Sequence, residues 1–126
     1  SHAQRDVIER TLLEAALRHV AGGQLERGAQ QLADTAGTAL ETVLRILADR
    51  EGEPVAVLLK TLGFQRSRFS ETVASLQQAE ISLVRPDRKV EEIQTIFDTL
   101  SFNKARILLT YWDWYVRRAG PYAPHN

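Results

Sequence analysis

The sequence predicts an all-α fold of about seven helices in antiparallel pairs, arranged as a short solenoid or an irregular helical bundle. Apolar residues recur at three- and four-residue spacing along most of the chain, which is the period of a helix with one buried face. Glycine or proline interrupts that period at several points, as is typical where helices end. Only residues 81–87 look extended, and because Arg85 precedes a proline we predict a connector there. The residues predicted to dock this connector are Ile81, Leu83 and Val84.

The first two helices are predicted from a cap and from glycine stops. Asp6, with Glu9 three residues later, forms an acidic capping box that starts the first helix, and Gly22 with Gly23 ends it. The second helix ends at Gly37, and its small apolar residues indicate a closely packed neighbour. The predicted buried face of the first helix consists of Ile8, Leu12, Leu13, Ala16, Leu17 and Val20.

The next four helices also begin and end at recognisable signals. Thr38 and Glu41 form a Thr-x-x-Glu capping box for the third helix. Pro54 suits the first turn of the fourth helix, which Gly63 ends. The fifth and sixth helices are predicted over about residues 65–78 and 88–100.

These helices and the one that follows them form a single predicted domain over residues 6–120. We interpret residues 1–5 as a tag scar and a disordered start, since Ser1-His2-Ala3 is typical of a cleaved tag and the chain has no methionine. The chain is therefore expected to be a fragment of a longer protein. Residues 121–126 are predicted to be a loose tail.

The composition excludes several classes of protein. Without cysteine the chain can form neither a disulfide nor a thiolate metal site. No apolar run approaches the roughly 20 residues that span a bilayer, so we expect a cytoplasmic protein without a membrane partner. The net charge is zero, with −3 on residues 1–59 and +3 on residues 60–126. That mild asymmetry is not the strongly basic surface of a nucleic-acid binder.

Residues 61–69 and 99–107 resemble each other at an offset of 38 residues. In each copy a helix ends at a leucine, a tight turn follows, and a second helix begins. Phe64 and Phe102, just past the turns, are predicted to plug the corner between the two helices. Either the chain contains a true repeat, or two antiparallel helix pairs merely look alike over nine residues. The corresponding repeat units would be residues 54–79 and 88–119.

A helix-pair period near 38 residues resembles that of HEAT-like repeats. The Leu-x-x-Leu-Gly-Phe unit at residues 59–64 is followed by a helix that carries a phenylalanine, and residues 108–112 read Leu-Leu-x-x-Trp. This order is similar to that of an uncharacterised bacterial family, domain of unknown function 2336. The resemblance covers most of the chain and brings no catalytic residues with it.

The seventh helix is the most unusual stretch, because it holds both tryptophans and two of the three tyrosines. Ser101 is predicted to cap it and Gly120 to stop it. Apolar residues cover more than half of its circumference, so it is either the central helix or one that also touches a partner. One predicted face carries Leu108, Leu109, Trp112, Tyr115 and Val116, and a flanking face carries Ile107, Tyr111 and Trp114.

The surplus aromatic residues predict a partner-binding surface. Exposed aromatic side chains flanked by arginines have the composition of a binding hot spot. The alternative is that a further helix, or a part of the protein outside this chain, covers them. The predicted partner-binding residues are Tyr111, Trp114, Arg118, Arg66 and Arg68.

No residue pattern supports catalysis, so we predict a protein that is not an enzyme and that needs no metal or cofactor. His19 is isolated near the end of the first helix, where a cation suits the helix dipole. Asp113 lies between two tryptophans and could be a functional carboxylate with a raised pKa. We interpret it instead as a solvent-facing partner of Arg117 or Arg106.

The leading hypothesis is a non-enzymatic protein-interaction module whose partner is a protein, or a second copy bound through the aromatic helix. One alternative is a helical transcriptional regulator that binds DNA through residues 58–76 or uses the aromatic helix to dimerise. Another is a small-ligand sensor with a pocket under Trp112. Nucleic acid is the disfavoured partner because the chain is neutral. The basic residues near the turn and connector are Arg66, Arg68, Arg85, Arg88 and Lys89.

Overall fold

A computed structural model describes residues 1–79 and 83–119 of the chain. Within these ranges the chain forms seven α-helices and no strand, which confirms the all-α fold. The helices are α1 (His2–Ala21), α2 (Leu25–Ala36), α3 (Leu40–Ala48), α4 (Glu53–Thr61), α5 (Arg66–Gln78), α6 (Val90–Thr99) and α7 (Phe102–Ala119).

Helix α4 is the central helix of the fold. Its residues from Val55 to Leu59 are all buried, and it packs against α3, α6 and α7. Burying a leucine or valine side chain stabilises a fold by about 1.5–3 kcal/mol, so this short apolar run is a large part of the core. Helix α7 buries only one face, so the central position that the sequence allowed for it belongs to α4.

Helices α1 and α2 approach each other closely because small residues lie where they cross. Gly28 is buried, and a Cβ atom added to it would lie 2.5 Å from the carbonyl oxygen of Ala16 and from a methyl carbon of Val20. Ala29 and Ala33 are also fully buried on this face of α2. The closely packed neighbour that the small residues predict is therefore α1.

The start of α1 differs from the prediction. The helix begins at His2 rather than at Asp6, and its capping box is formed by Ser1 and Gln4. Ile8 and Leu12, which the sequence assigned to the buried face, are exposed. The reason is length, since α1 has 20 residues and its neighbour α2 only 12. At ~1.5 Å per residue, α2 is too short to cover all of α1.

The helices of the two similar segments do not pack as the antiparallel pairs that the sequence predicted. Helix α4 packs across α6 and α7, and α5 packs against α6 and α1. Helices α4 and α5 are not among the extensively packed pairs, and neither are α6 and α7. Phe69 of α5 stacks on Phe97 of α6 with ring centroids 4.3 Å apart, which links the two units. The two units therefore pack across each other, and neither forms an extensively packed pair of its own.

Phe64 and Phe102 occupy matching positions after the two turns but differ in burial. Phe64 is 7% exposed and plugs its corner as predicted. Phe102 is 51% exposed, so the prediction was wrong for the second copy. Phe64 lies beside Leu13 and Glu14 of α1, which close that corner. The start of α7 has no comparable cover, since residues 101–104 are all exposed.

The connector before α6 is docked on the core through Val84, which is 1% exposed. The Arg85 N–H donates to the carbonyl oxygen of Arg50 at 2.8 Å, and Leu83 is half-buried. Ile81, the third predicted docking residue, and the predicted tail at 121–126 lie outside the described residues.

Candidate interaction surface on α7

The buried face of α7 fixes the helix on the core. Ala105, Leu109 and Val116 are buried against the fold, and Trp112 is half-buried beside them. The Ser101 hydroxyl accepts a hydrogen bond from the Lys104 N–H at 3.1 Å, as expected of the predicted cap. Helix α7 packs on α4 and α3 through this face.

Asp113 fastens α7 to the start of α3. Its Oδ1 atom accepts hydrogen bonds from the Ala39 N–H and from the Thr42 hydroxyl, both at 2.8 Å. Its Oδ2 atom accepts from Arg117 Nε at 2.8 Å, which confirms the predicted pair with Arg117. The side chain is only 15% exposed, so the prediction of a solvent-facing carboxylate was wrong.

The cap predicted for α3 is replaced by this contact from α7. The N-cap residue of α3 is Ala39, which has no side chain that could cap. The Thr38 hydroxyl is buried without a hydrogen-bond partner among the described residues, and Glu41 pairs with Arg45 at 3.1 Å. The Asp113 carboxylate supplies the missing acceptor at the positive end of the α3 dipole.

Two opposing effects act on the pKa of Asp113. Burial raises it, but the hydrogen bonds from the Ala39 N–H, Arg117 and Thr42 together outweigh burial and lower it. Asp113 is therefore an ionised structural cap and does not have the raised pKa of a catalytic acid.

Apolar side chains also cover a side of α7 that lies outside its buried face. We call this side the outward face and define it by five exposed residues. Trp114 on this face is 52% exposed, so its indole lies at the surface. The chain therefore offers a run of apolar side chains that its own core does not use. The residues of the outward face are Ile107, Leu108, Tyr111, Trp114 and Tyr115.

Three of the predicted site residues lie together on this face. The rings of Tyr111 and Trp114 have centroids 6.2 Å apart and are tilted by 31°. The Arg118 guanidinium carbon lies 5.2 Å from the Trp114 ring, within the range of a cation–π contact. Such contacts restrain three large side chains before a partner arrives, which reduces the entropy lost on binding.

The charge of this surface is positive. Asp113 is the only acidic residue of α7, and it faces α3 and pairs with Arg117. None of the salt bridges in the described part of the chain involves Lys104, Arg106 or Arg118. The exposed side of α7 therefore combines apolar side chains with uncompensated cations.

A groove of about 370 Å³ opens beside the outward face, between α7, α3 and the start of α4. Tyr111 and Tyr115 of the outward face also line the groove, as does Trp112. Its other wall includes Arg45 and Ile46 of α3. The groove lies where the sequence placed the pocket of the ligand-sensor alternative, beside Trp112.

Arg66 and Arg68 do not join the cluster on α7. Arg66 of α5 donates to both carboxylate oxygens of Asp98 at 2.9 and 3.1 Å, and its hydrogen bond lowers the pKa of Asp98. Arg68 pairs with Glu14 and Glu71, each at 3.1 Å. Both arginines thus hold α5 to neighbouring elements, and acidic residues compensate their charges.

Sequence reasoning missed a second exposed apolar patch, at the start of α1. Val7, Ile8 and Leu12 are exposed there. The signal that could have revealed it is the unequal length of α1 and α2, since a long helix beside a short one must leave turns uncovered.

Residues 1–79 and 83–119 contain neither a candidate membrane-spanning helix nor a candidate metal cluster. No helix there is both long enough and apolar enough to cross a lipid bilayer. No three acidic or histidine side chains in those ranges lie together as a metal site would require.

Comparison with known proteins gives one match. A family model described as an uncharacterised protein conserved in bacteria (DUF2336) matches residues 2–110. The match spans α1 to α6 and the first half of α7, and it ends one residue before Tyr111. No curated protein and no solved structure matches the sequence. Because the match covers most of the chain, this protein belongs to the bacterial family named domain of unknown function 2336, as the resemblance in its sequence predicted.

Proposed function

We propose that this chain is a protein-interaction module, without an enzymatic role, that binds a partner protein through the outward face of α7. One observation carries the proposal: the apolar side chains of α7 extend well beyond the face that meets the core of this chain, and those outside it are exposed. A helix that needed one apolar face for folding would have a polar opposite side.

The composition of the outward face supports a protein partner. Tryptophan, tyrosine and arginine are the residues most enriched at binding hot spots, and Tyr111, Trp114 and Arg118 already contact one another. An exposed apolar cluster on one side of a folded domain is a common mark of a protein contact.

The ion pairs of the basic residues favour a protein over DNA. A DNA-binding surface needs arginines that are free to meet phosphates. Arg66 and Arg68 are compensated by acidic partners, and Arg85 and Arg88 both pair with Glu51. The arginines that the helix-turn-helix alternative would use to bind phosphates are therefore already paired with acidic side chains.

Capture of a partner by the immobilised chain, followed by titration of the purified partner, tests this function. Trp114→Ala should weaken binding at least tenfold, since hot-spot truncations cost more than about 1.4 kcal/mol. Phe102→Ala is the matched control, because Phe102 lies on the same helix, is equally exposed and is off the outward face. Melting temperatures of both variants should stay near that of the original chain. Equal binding by the two variants, or unfolding of Trp114→Ala, would refute the proposal.

The groove beside Trp112 favours a second candidate, a small-ligand sensor. Its volume of about 370 Å³ falls within the range of about 300–1,000 Å³ that is typical of ligand pockets. A screen of small apolar and aromatic compounds by thermal shift would support this reading if Arg45→Trp, which places a large side chain at the exposed wall of the groove, abolishes the shift. A screen without binders would favour the interaction module.

A further inference from the structure

The outward face of α7 has the spacing of a helix-docking seam. Ile107 and Trp114 are seven residues apart, and so are Leu108 and Tyr115. Tyr111 lies between these two pairs, so apolar side chains recur after three and four residues along one line of the helix. This is the spacing by which one helix packs along another.

A cation lies at each end of the seam. Lys104 and Arg118 are each seven residues from Tyr111, so both continue the line of the apolar residues. Fourteen residues separate them, which corresponds to ~21 Å along a helix axis. Both are exposed, and neither forms a salt bridge within the described residues. The seam is therefore apolar in its middle and positive at its two ends.

We infer that the occupant of the outward face is an amphipathic helix of another protein that carries an acidic residue at each end of its own apolar seam. The inference rests on the proposed function and names the partner's chemistry. The two acidic residues lie about fourteen positions apart, because they must reach Lys104 and Arg118 at the same time. Between them the partner presents apolar side chains at three- and four-residue spacing.

A second copy of this chain is a poor occupant for the same electrostatic reason. Antiparallel pairing centred on Tyr111 would set Lys104 of one copy against Arg118 of the other at both ends. Parallel pairing would set each cation against its own counterpart. Like charges placed opposite one another at an interface oppose association.

A lipid surface fits the seam less well than a helix does. Helices that lie on membranes carry their cations on the polar face, beside the apolar stripe. Here Lys104 and Arg118 lie on the apolar line itself, at its two ends. The adjoining groove, which shares Tyr111 and Tyr115 with the seam, gives the surface a fixed shape that side chains of a helix can enter.

Two synthetic peptides test the inference on the purified chain. Each is a helix of about 20 residues, long enough to span the seam, with leucines at the seam positions. One carries glutamate at both seam ends and the other carries lysine there. The glutamate peptide should bind about tenfold more tightly at low salt, and the difference should shrink as salt screens exposed charges. Lys104→Glu combined with Arg118→Glu should reverse the preference.

Four other results would each overturn the inference. Equal binding of both peptides, still lost in Trp114→Ala, would refute the acidic ends while leaving the proposed function intact. No binding of either peptide would refute the helix itself, and the captured partner would then decide the proposed function separately. Sedimentation of the chain as a dimer that Trp114→Ala dissociates would make a second copy the occupant. Retention on phosphatidylglycerol vesicles that depends on Trp114 would make it a lipid surface.

Discussion

Replacing Asp113 with alanine should destabilise the fold far more than is usual for one aspartate on a surface helix. The carboxylate accepts hydrogen bonds from the Ala39 N–H and the Thr42 hydroxyl, both at 2.8 Å, and from Arg117. Through these contacts α7 caps α3. The substitution removes that cap and leaves a buried hydroxyl at Thr42, which is 1% exposed.

The expected loss follows from the two contacts to α3. Removing an N-cap acceptor costs about 1–2 kcal/mol, and leaving a buried hydroxyl without its charged acceptor costs about 1–3 kcal/mol. Since the exposed Arg117 pair adds little, Asp113→Ala should lower the free energy of unfolding by about 2–5 kcal/mol. That is a large share of the ~5–15 kcal/mol available to a domain.

Urea unfolding followed by circular dichroism measures this loss directly. Asp113→Asn should fall between the original chain and Asp113→Ala, because the amide oxygen can still accept both bonds from α3 but without a charge. Asp98→Ala is the control, since Asp98 also pairs with an arginine but caps no helix in this way. If Asp113→Ala shifted the midpoint no more than Asp98→Ala does, the cap across the fold would not be a source of stability.

Three further predictions follow from the same contacts and packing. The pKa of Asp113 is lowered in the folded chain, so its carboxylate stabilises the fold fully at pH values above the ordinary aspartate pKa of about 4. This stabilisation is lost as the pH falls through the lower pKa of the folded state. The urea midpoints of the original chain and Asp113→Asn should therefore differ at neutral pH and converge in acid. Gly28→Ala should lower the stability of the fold by about 1–3 kcal/mol in a thermal melt, because the new methyl group would overlap the carbonyl oxygen of Ala16. At an uncrowded helix position the same substitution would stabilise the helix by about 1 kcal/mol. Phe64→Ala should cost about 3–5 kcal/mol in urea unfolding and Phe102→Ala about 0.5 kcal/mol or less; equal losses would contradict their different burial.

Local signals in the sequence predict the helices well but not what covers them. Gly22, Gly37 and Gly63 mark helix ends that the structure confirms, because a glycine stop acts within one turn. The cap of α3 was missed because its acceptor comes from Asp113, 74 residues away from Ala39 along the chain. No local pattern can reveal a partner at that separation.

The residues of the candidate site could be predicted only in part, because local signals do not show which side chains the rest of the fold covers. Apolar residues around more than half of α7 indicated either the central helix of the fold or a helix that also touches a partner. The structure distinguishes the two, since α4 is the central helix and Tyr111 and Trp114 are exposed. The compensation of Arg66 and Arg68 could not be predicted, because Asp98 and Glu14 lie on helices whose positions depend on the whole fold.

The fluorescence of Trp114 tests most directly whether the outward face is a docking surface. A Trp112→Phe chain retains Trp114 as its only tryptophan and keeps an aromatic ring against the core. In the free chain, acrylamide should quench this tryptophan readily, and its emission should be that of a solvated indole. Addition of the captured partner should shift the emission to shorter wavelength and protect the indole from quenching. An indole that is already protected in the free monomer, or one that stays equally quenchable in the complex, would contradict a docking role for the outward face.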